Sequence, residues 1–327
     1  MPKPRRKLPQ VNFRPIRFAA LALFALAFGI GFGLLANRIF RGEDKAAPIP
    51  TPTSAKSEGD KSSQAPLRPP PARTTLSVVQ DRPASGPAPA WQRFAVAAPE
   101  ADGRPWIAVV LDDVGVDKKR GQRAVELPGP LTIALMTYAD DLPALAAKAK
   151  AHGHELMLHV PMEPQDKGEN PGPQALLVSQ DAAEIQKRLR WGLDRFEGFV
   201  GINNHMGSKF TAVEPAMRIV LAEVKARGLL FLDSRTSGQT IGARLAGTMG
   251  IPHASRDLFL DVDDRPEAVR AQLDQTEKLA RKQGHAIVIG HPHDATMAAL
   301  EAWIPKLAAR GFALVPVSAI VKRQLAG

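Results

Sequence analysis

The stretch Trp106-Ile107-Ala108-Val109-Val110-Leu111-Asp112-Asp113 decides how the rest of the chain reads. Six apolar residues run without interruption and stop on two carboxylates. A strand with one wet face alternates apolar and polar residues, whereas a strand covered on both faces is continuously apolar. This stretch is of the second kind. The pattern recurs at 131–136, 155–159, 199–203, 229–233, 286–290 and 313–315, giving seven predicted strands. Helical stretches lie between them at 142–151, 182–196, 212–227, 266–283 and 296–309. Asp181 and Thr211 stand where N-caps belong, and Gly228 and Gly284 stand where helices end. Strand and helix in alternation over roughly 220 residues predict a parallel α/β fold, either a barrel or a doubly wound sheet.

Upstream of that region the composition changes twice. Residues 18–36 read FAALALFALAFGIGFGLLA, nineteen residues without a charge. At 1.5 Å per residue this helix would be about 28 Å long, close to the hydrocarbon thickness of a bilayer. Six cations precede the run, and Arg38 and Arg41 after it are soon diluted by Glu43 and Asp44. The positive-inside bias places the N-terminus in the cytoplasm and the rest of the chain outside. The run exceeds an ordinary signal-peptide core, and Asn37–Arg41 is a poor cleavage region, so an uncleaved anchor is expected. From Gly42 to Ala90 there are ten prolines and no aromatic residue. Such a segment buries too little surface to offset its ordering entropy, and a disordered tether is expected. The predicted organisation is a basic cytoplasmic segment 1–17, a membrane anchor 18–37, a tether 38–100 and a folded domain 101–327.

The net charge of +10 looks like a nucleic-acid signal until it is divided along the chain. Residues 1–41 carry +8, whereas 42–90 and 91–327 carry +1 each. The folded region is nearly neutral, so no nucleic-acid partner is expected. The 327 residues include no cysteine, which excludes disulfide frameworks, thiolate metal sites and cysteine nucleophiles.

Chemistry in parallel α/β folds sits beyond the carboxyl ends of the strands. Those ends read Asp112-Asp113, then His159-Val160-Pro161-Met162-Glu163, Asn203-Asn204-His205, Asp233-Ser234-Arg235 and Gly290-His291-Pro292-His293. A single histidine there would be read as structural. Three ends bearing histidine, with a fourth bearing paired aspartates, predict a site of oxygen and imidazole ligands suited to zinc or a similar divalent ion. Adjacent carboxylates divide naturally into one for the metal and one for proton abstraction. Asp233 and Arg235 pair with each other, orient a catalytic group or hold substrate. His293 is read as orienting a ligand or His291, while His152, His154, His253 and His285 read as structural or exposed. Ser208 has no base-and-acid relay in sequence order.

Leu111-Asp112-Asp113-Val114-Gly115 and Gly153-His154-Glu155 followed by His159 resemble the first two motifs of nodulation-type polysaccharide deacetylases. Asn203–Ser208, Phe231–Thr236 and Gly290-His291-Pro292 resemble the divergent polysaccharide deacetylase family, over about residues 103–325. The resemblance implies a distorted, seven-stranded (β/α) barrel that is a metal-dependent deacetylase. It implies Asp112 as catalytic base, Asp113 and His159 as metal ligands, and His291 as general acid. The second histidine of the family's His-x-x-x-His motif is absent, with Glu163 in its place. Either His205 or Glu163 completes the metal set, with Asn204 near it. The expected function is removal of acetyl groups from an envelope polysaccharide by a Zn²⁺-dependent, membrane-tethered hydrolase facing away from the cytoplasm. The alternative is a domain without catalysis that binds glycan or an envelope partner.

Overall fold

The computed structural model describes residues 87–99 and 102–326. The basic segment, the anchor and most of the tether predicted from sequence lie outside the described residues. Among those described, no helix is long and apolar enough to cross a membrane.

Among the described residues nine parallel strands form one sheet: β1 (Trp106–Val114), β2 (Thr132–Met136), β3 (Glu155–Met162), β4 (Gly201–Met206), β5 (Leu230–Asp233), β6 (His253–Ser255), β7 (Leu258–Phe259), β8 (His285–Gly290) and β9 (Ala313–Leu314). Their spatial order is β6-β5-β4-β3-β2-β1-β8-β7, and β9 shares with β2 one side of β1. Among the described residues nine helices accompany them: α1 (Ala90–Arg93), α2 (Lys118–Val125), α3 (Leu142–Ala151), α4 (Ala182–Leu193), α5 (Glu214–Ala226), α6 (Gly242–Thr248), α7 (Pro266–Gln283), α8 (Asp294–Trp303) and α9 (Val317–Ala326).

The seven predicted strands are present, and two short ones join them. β6 and β7 have three and two residues, too few to show any hydrophobic period. They nevertheless decide the shape. β6 and β7 are the opposite edges of the sheet, yet only Arg256 and Asp257 separate them in sequence. Three Cα–Cα steps reach at most about 11 Å, so the sheet must curl until its edges meet. Across this seam the Arg256 N–H donates to Asp233 O on β5 at 3.0 Å, and the next N–H, of Asp257, donates to Ile287 O on β8 at 2.8 Å. The curled sheet is joined there by the chain itself, not by a ladder.

Strand alternation sorts the core into two compartments. Ile107, Val109 and Leu111 of β1, Leu156, Leu158 and Val160 of β3, and Phe231 of β5 pack outward with the helices. Ala108 and Val110, Met157, Leu230 and Leu232, and Ile287 and Ile289 face the interior. Trp91 and Val317, Ile320 and Val321 of α9 join the interior group.

Helix ends follow local chemistry. Asp181 caps α4, accepting the Glu184 N–H at 2.8 Å, and α7 stops at Gly284, whose φ of 84° suits a residue without Cβ. Thr211 is not the cap predicted: α5 starts after Val213, and the Thr211 hydroxyl donates to Gly207 O at 2.8 Å within a 3₁₀ turn. The folded region also starts before residue 101. Ala90 and Trp91 are buried, and the Trp91 N–H donates to Gly228 O at 3.0 Å, so the last part of the predicted tether belongs to the domain.

Candidate active site

β1 brings two consecutive carboxylates to one place, which a regular strand cannot do. Successive side chains point to opposite faces, so Asp112 shares the interior side with Val110 and Asp113 belongs outside. The pairing with β2 slips between Leu111 and Val114, and Asp113 has a φ of 56°. This bulge turns Asp113 back toward the interior. Two residues on, Gly115 has a φ of 102°, and a Cβ there would lie 2.8 Å from that of Ala139.

β3 and β4 supply the partners in register. His159 pairs with Asn203 and Pro161 with His205, so His159, Asn203 and His205 all project inward. His159 Nε2 lies 3.3 Å and His205 Nδ1 lies 2.8 Å from Asp113 Oδ1. The two rings meet edge to face with centroids 5.1 Å apart. One ligand atom from each of the three residues fits within a 4.8 Å group.

Hydrogen bonds set which nitrogen of His159 is free. An ionised carboxylate only accepts, so Asn203 presents its NH₂ to Asp112 Oδ1 at 2.8 Å and its carbonyl to His159 Nδ1 at 2.8 Å. His159 Nδ1 therefore carries a proton, and Nε2, facing Asp113, is the nitrogen that a metal would take on losing its own proton. The Asn203 NH₂ also donates to Ser234 Oγ at 3.2 Å. Asp113 Oδ1 is buried and has no hydrogen-bond partner among the described residues, because neither imidazole contact is aligned as one. Ligands around a tetrahedral ion with bonds of about 2.0–2.1 Å are separated by about 3.3 Å. An orphaned carboxylate oxygen between two imidazole nitrogens at these spacings fits a divalent metal with an O,N,N donor set.

Asp112 lies beside this group, with Oδ2 3.5 Å from His159 Nε2. Burial pushes its carboxyl above the ordinary range, opposed by His159, His291 and Asn203. Burial acts on Asp113 in the same direction, but the two imidazoles prevail and hold it well below that range. The neighbours thus have opposite character: one retains affinity for a proton, and the other is a permanent anion.

His291 follows β8 on the interior side. Its Nδ1 lies 2.9 Å from Asp261 Oδ1, and its backbone N–H donates to Asp261 Oδ2 at 2.6 Å. The Thr296 hydroxyl donates to the same carboxylate at 2.8 Å. Burial alone would push the imidazole down, but Asp261, with Asp112 and Asp113 beyond it, pushes it up to about 9.

The other candidates take different places. Glu163 stands outside the Asp113, His159 and His205 group: Oε1 accepts Lys209 Nζ at 2.5 Å and Oε2 accepts the Val178 N–H at 2.6 Å, which ties two loops together. Asn204, outward like Ile202, accepts the Ser234 N–H at 3.0 Å and donates to Met206 O at 2.7 Å. Asp233, outward like Phe231, accepts Thr240 Oγ1 at 2.8 Å and the Ala243 N–H at 3.0 Å at the start of α6. It also accepts the Arg235 backbone N–H at 2.9 Å, so the pair predicted between these residues involves no guanidinium. His293 stacks on His291 at 5.6 Å, with Nδ1 3.8 Å from Asp261 Oδ2. Ser208 Oγ accepts the Gln165 N–H at 2.8 Å. His154 is structural and buried, accepting from Leu131 N at 3.2 Å and donating to Val125 O at 3.1 Å.

Sequence reasoning missed the roles of Asn203 and Asp261. Counting by twos from the apolar core of β4 would have turned Asn203 inward beside His205. Asp261 follows a two-residue strand and offered no such count.

The family described as divergent polysaccharide deacetylase matches residues 109–321. The chain is 32% identical to the uncharacterized protein YibQ of Escherichia coli K12 over 214 residues, 65% of this chain and 66% of that protein. It is 32% identical to an uncharacterized protein of Haemophilus influenzae over 203 residues, 62% of this chain and 71% of that one. The match to the Escherichia coli relative thus spans just under two thirds of its length. Among solved structures, an uncharacterized protein from Agrobacterium tumefaciens C58 superposes with a TM-score of 0.69 at 29% identity, covering 71% of this chain and 95% of that one.

Proposed function

The chain belongs to the divergent polysaccharide deacetylase family, and from that premise we propose that it is a metal-dependent hydrolase that removes acetyl groups from an envelope polysaccharide. One observation carries the reading: Asp113, His159 and His205 converge on a buried, unpaired carboxylate oxygen, with a second carboxylate of raised proton affinity beside it.

Asp113 Oδ1, His159 Nε2 and His205 Nδ1 would hold the ion. Zn²⁺ or a similar ion bound there supplies Lewis acidity toward an acyl carbonyl and lowers the pKa of water. Asp112 takes the proton of the attacking water, and Asn203 holds its carboxylate in place for that transfer. His291 enters the reaction as the imidazolium. Asp261 retains the proton on Nδ1, so Nε2 hands its proton to the departing amine or alcohol. The uncharged run 18–36, with cations before it, supports a single-pass anchor in the cytoplasmic membrane with the domain on the outer side.

The test is elemental analysis of the purified protein, paired with acetate release from acetylated glycans, for wild type, Asp113→Ala and His205→Ala. One tightly held ion per chain and acetate release, both lost in both variants, are expected. A protein that holds no ion and takes up none from added Zn²⁺, Mn²⁺, Co²⁺ or Ni²⁺ would overturn the reading. A domain that binds glycan without catalysis would then stand in its place.

A further inference from the structure

A row of flat groups ends at the surface beside the site. The Arg256 guanidinium lies 3.6 Å from the centroid of the Phe259 ring, Phe259 stacks on His291 with centroids 6.0 Å apart, and His291 stacks on His293 with centroids 5.6 Å apart. The interplanar angles are 25° and 23°, so the three rings are nearly parallel. His293 is the open end of the row: its side chain is 44% exposed, against 26% for His291. The register of Leu111 with Gly290 puts His291 level with Asp112. The open ring therefore lies one layer from the group that protonates the departing amine or alcohol.

The fold makes little use of the His293 imidazole. It stands at the N-cap position of α8, where Ser, Thr, Asp or Asn would bond a free helix N–H, and it makes no such bond. It lies outside the Asp113, His159 and His205 group. Asp261 is already taken by His291 and Thr296. His293 Nδ1, 3.8 Å from Asp261 Oδ2, is buried without a hydrogen-bond partner among the described residues. What His293 offers is a ring, buried at Nδ1 and open elsewhere. Apolar side chains stand in the loops on either side. β1 and β7 flank β8 in the sheet, and the loops after them carry Val116 and Val262, which are 56% and 86% exposed.

We infer that His293 is a substrate-binding residue whose ring is the platform for the sugar that bears the departing group, with Val116 and Val262 as its apolar rim. The nitrogen or oxygen that takes the His291 proton is bonded directly to a sugar carbon. The sugar ring must then lie next to His291, on the distance scale of the His291–His293 stack. One face of a sugar presents C–H groups that pack on an aromatic face as other apolar surface does, while the hydroxyls at the ring edge stay in water. Such a platform selects a cyclic leaving group, and so a glycan over a small acetyl ester or amide. The inference rests on the reading of His291 as general acid.

The experiment measures acetate release by the full chain in detergent with added Zn²⁺, from N-acetylated chitopentaose, O-acetylated xylopentaose and ethyl acetate, whose leaving group has no ring. Binding of the two oligosaccharides is measured in parallel by calorimetry. Ring stacking is worth up to about tenfold in affinity. His293→Ala should therefore lower the affinity for an oligosaccharide about tenfold, and with it the ratio of kcat/KM for oligosaccharide over ester. His293→Phe, which keeps a ring and loses the nitrogens, restores most of both. A His293 that only props His291 would lower the oligosaccharide and ester rates in parallel and leave their ratio and the affinity unaltered. That outcome, no rescue by His293→Phe, or no binding of either oligosaccharide overturns the inference and leaves the deacetylase reading to its own test. Binding that depends on the ring at 293, without acetate release, would sink the deacetylase reading and leave the platform standing.

Discussion

Replacing Glu155 with glutamine should abolish a pH-dependent loss of stability that the wild-type domain suffers between mildly acidic and neutral pH. Glu155 opens β3, is fully buried inside the curled sheet and lies apart from the candidate metal group. Burial pushes its carboxyl up to about 7 from an ordinary 4.5, although the Ser318 hydroxyl and N–H and the Thr132 hydroxyl donate to it. The sign follows from proton uptake. Between 4.5 and 7 the folded state keeps a proton that the unfolded chain has lost, so stability is full below 4.5 and declines as pH rises through 7. The gap between the two values corresponds to about 3 kcal/mol. Glutamine keeps the shape and an acceptor oxygen and never ionises. Urea unfolding of the compact unit Val79–Gly327, followed by tryptophan fluorescence from pH 4.5 to 8, measures the effect. The difference between wild type and Glu155→Gln should change by about 3 kcal/mol across that range in favour of the variant, while other titrating groups cancel in the subtraction. Two stability curves that stay parallel within about 0.5 kcal/mol would refute the assignment of a raised pKa to burial.

Three further outcomes are expected. Asp261→Asn removes the carboxylate that keeps His291 protonated, so the basic limb of the pH–rate profile, near 9 in the wild type, moves to lower pH; an unmoved limb would show that another group is the acid. Asn203→Ala leaves His159 Nδ1 and Asp112 Oδ1 without their partner, and metal affinity measured by competition with a chelator falls by about 10–100-fold while the fold is retained. Trp91→Ala empties a buried position outside the predicted domain boundary and lowers the unfolding free energy of Val79–Gly327 by about 3–5 kcal/mol; a negligible change would put the start of the folded unit back near residue 101.

Much of the fold was legible because its strands are covered on both faces. Trp106–Leu111 is an uninterrupted apolar run and its counterparts are apolar in most positions rather than alternating, and the helices between them carry their own start and stop signals, as at Asp181 and Gly284. The strand ends where chemistry collects could therefore be named by residue. β6 and β7 were not legible, since two or three residues hold no period, and they are paired through β5 and β8 rather than with each other. Asp261 was lost for the same reason, as its meaning depends on lying 2.9 Å from a histidine thirty residues away.

The amino-acid sequence by itself determined the parallel α/β class, the neutral charge of the folded region and the set of polar residues available at the strand ends. Tertiary structure alone decided which of them meet. Alternation turns Asn204 and Asp233 away from the interior and Asn203 and His205 into it, and Glu163 is drawn off by Lys209. The bulge after Leu111 overrides alternation at one position, bringing Asp113 beside Asp112. The seam at Arg256 brings the far edge of the sheet to His291. Local sequence sets which way a strand's residues point, but register slips and sheet closure arise from contacts between distant segments, and these built the site.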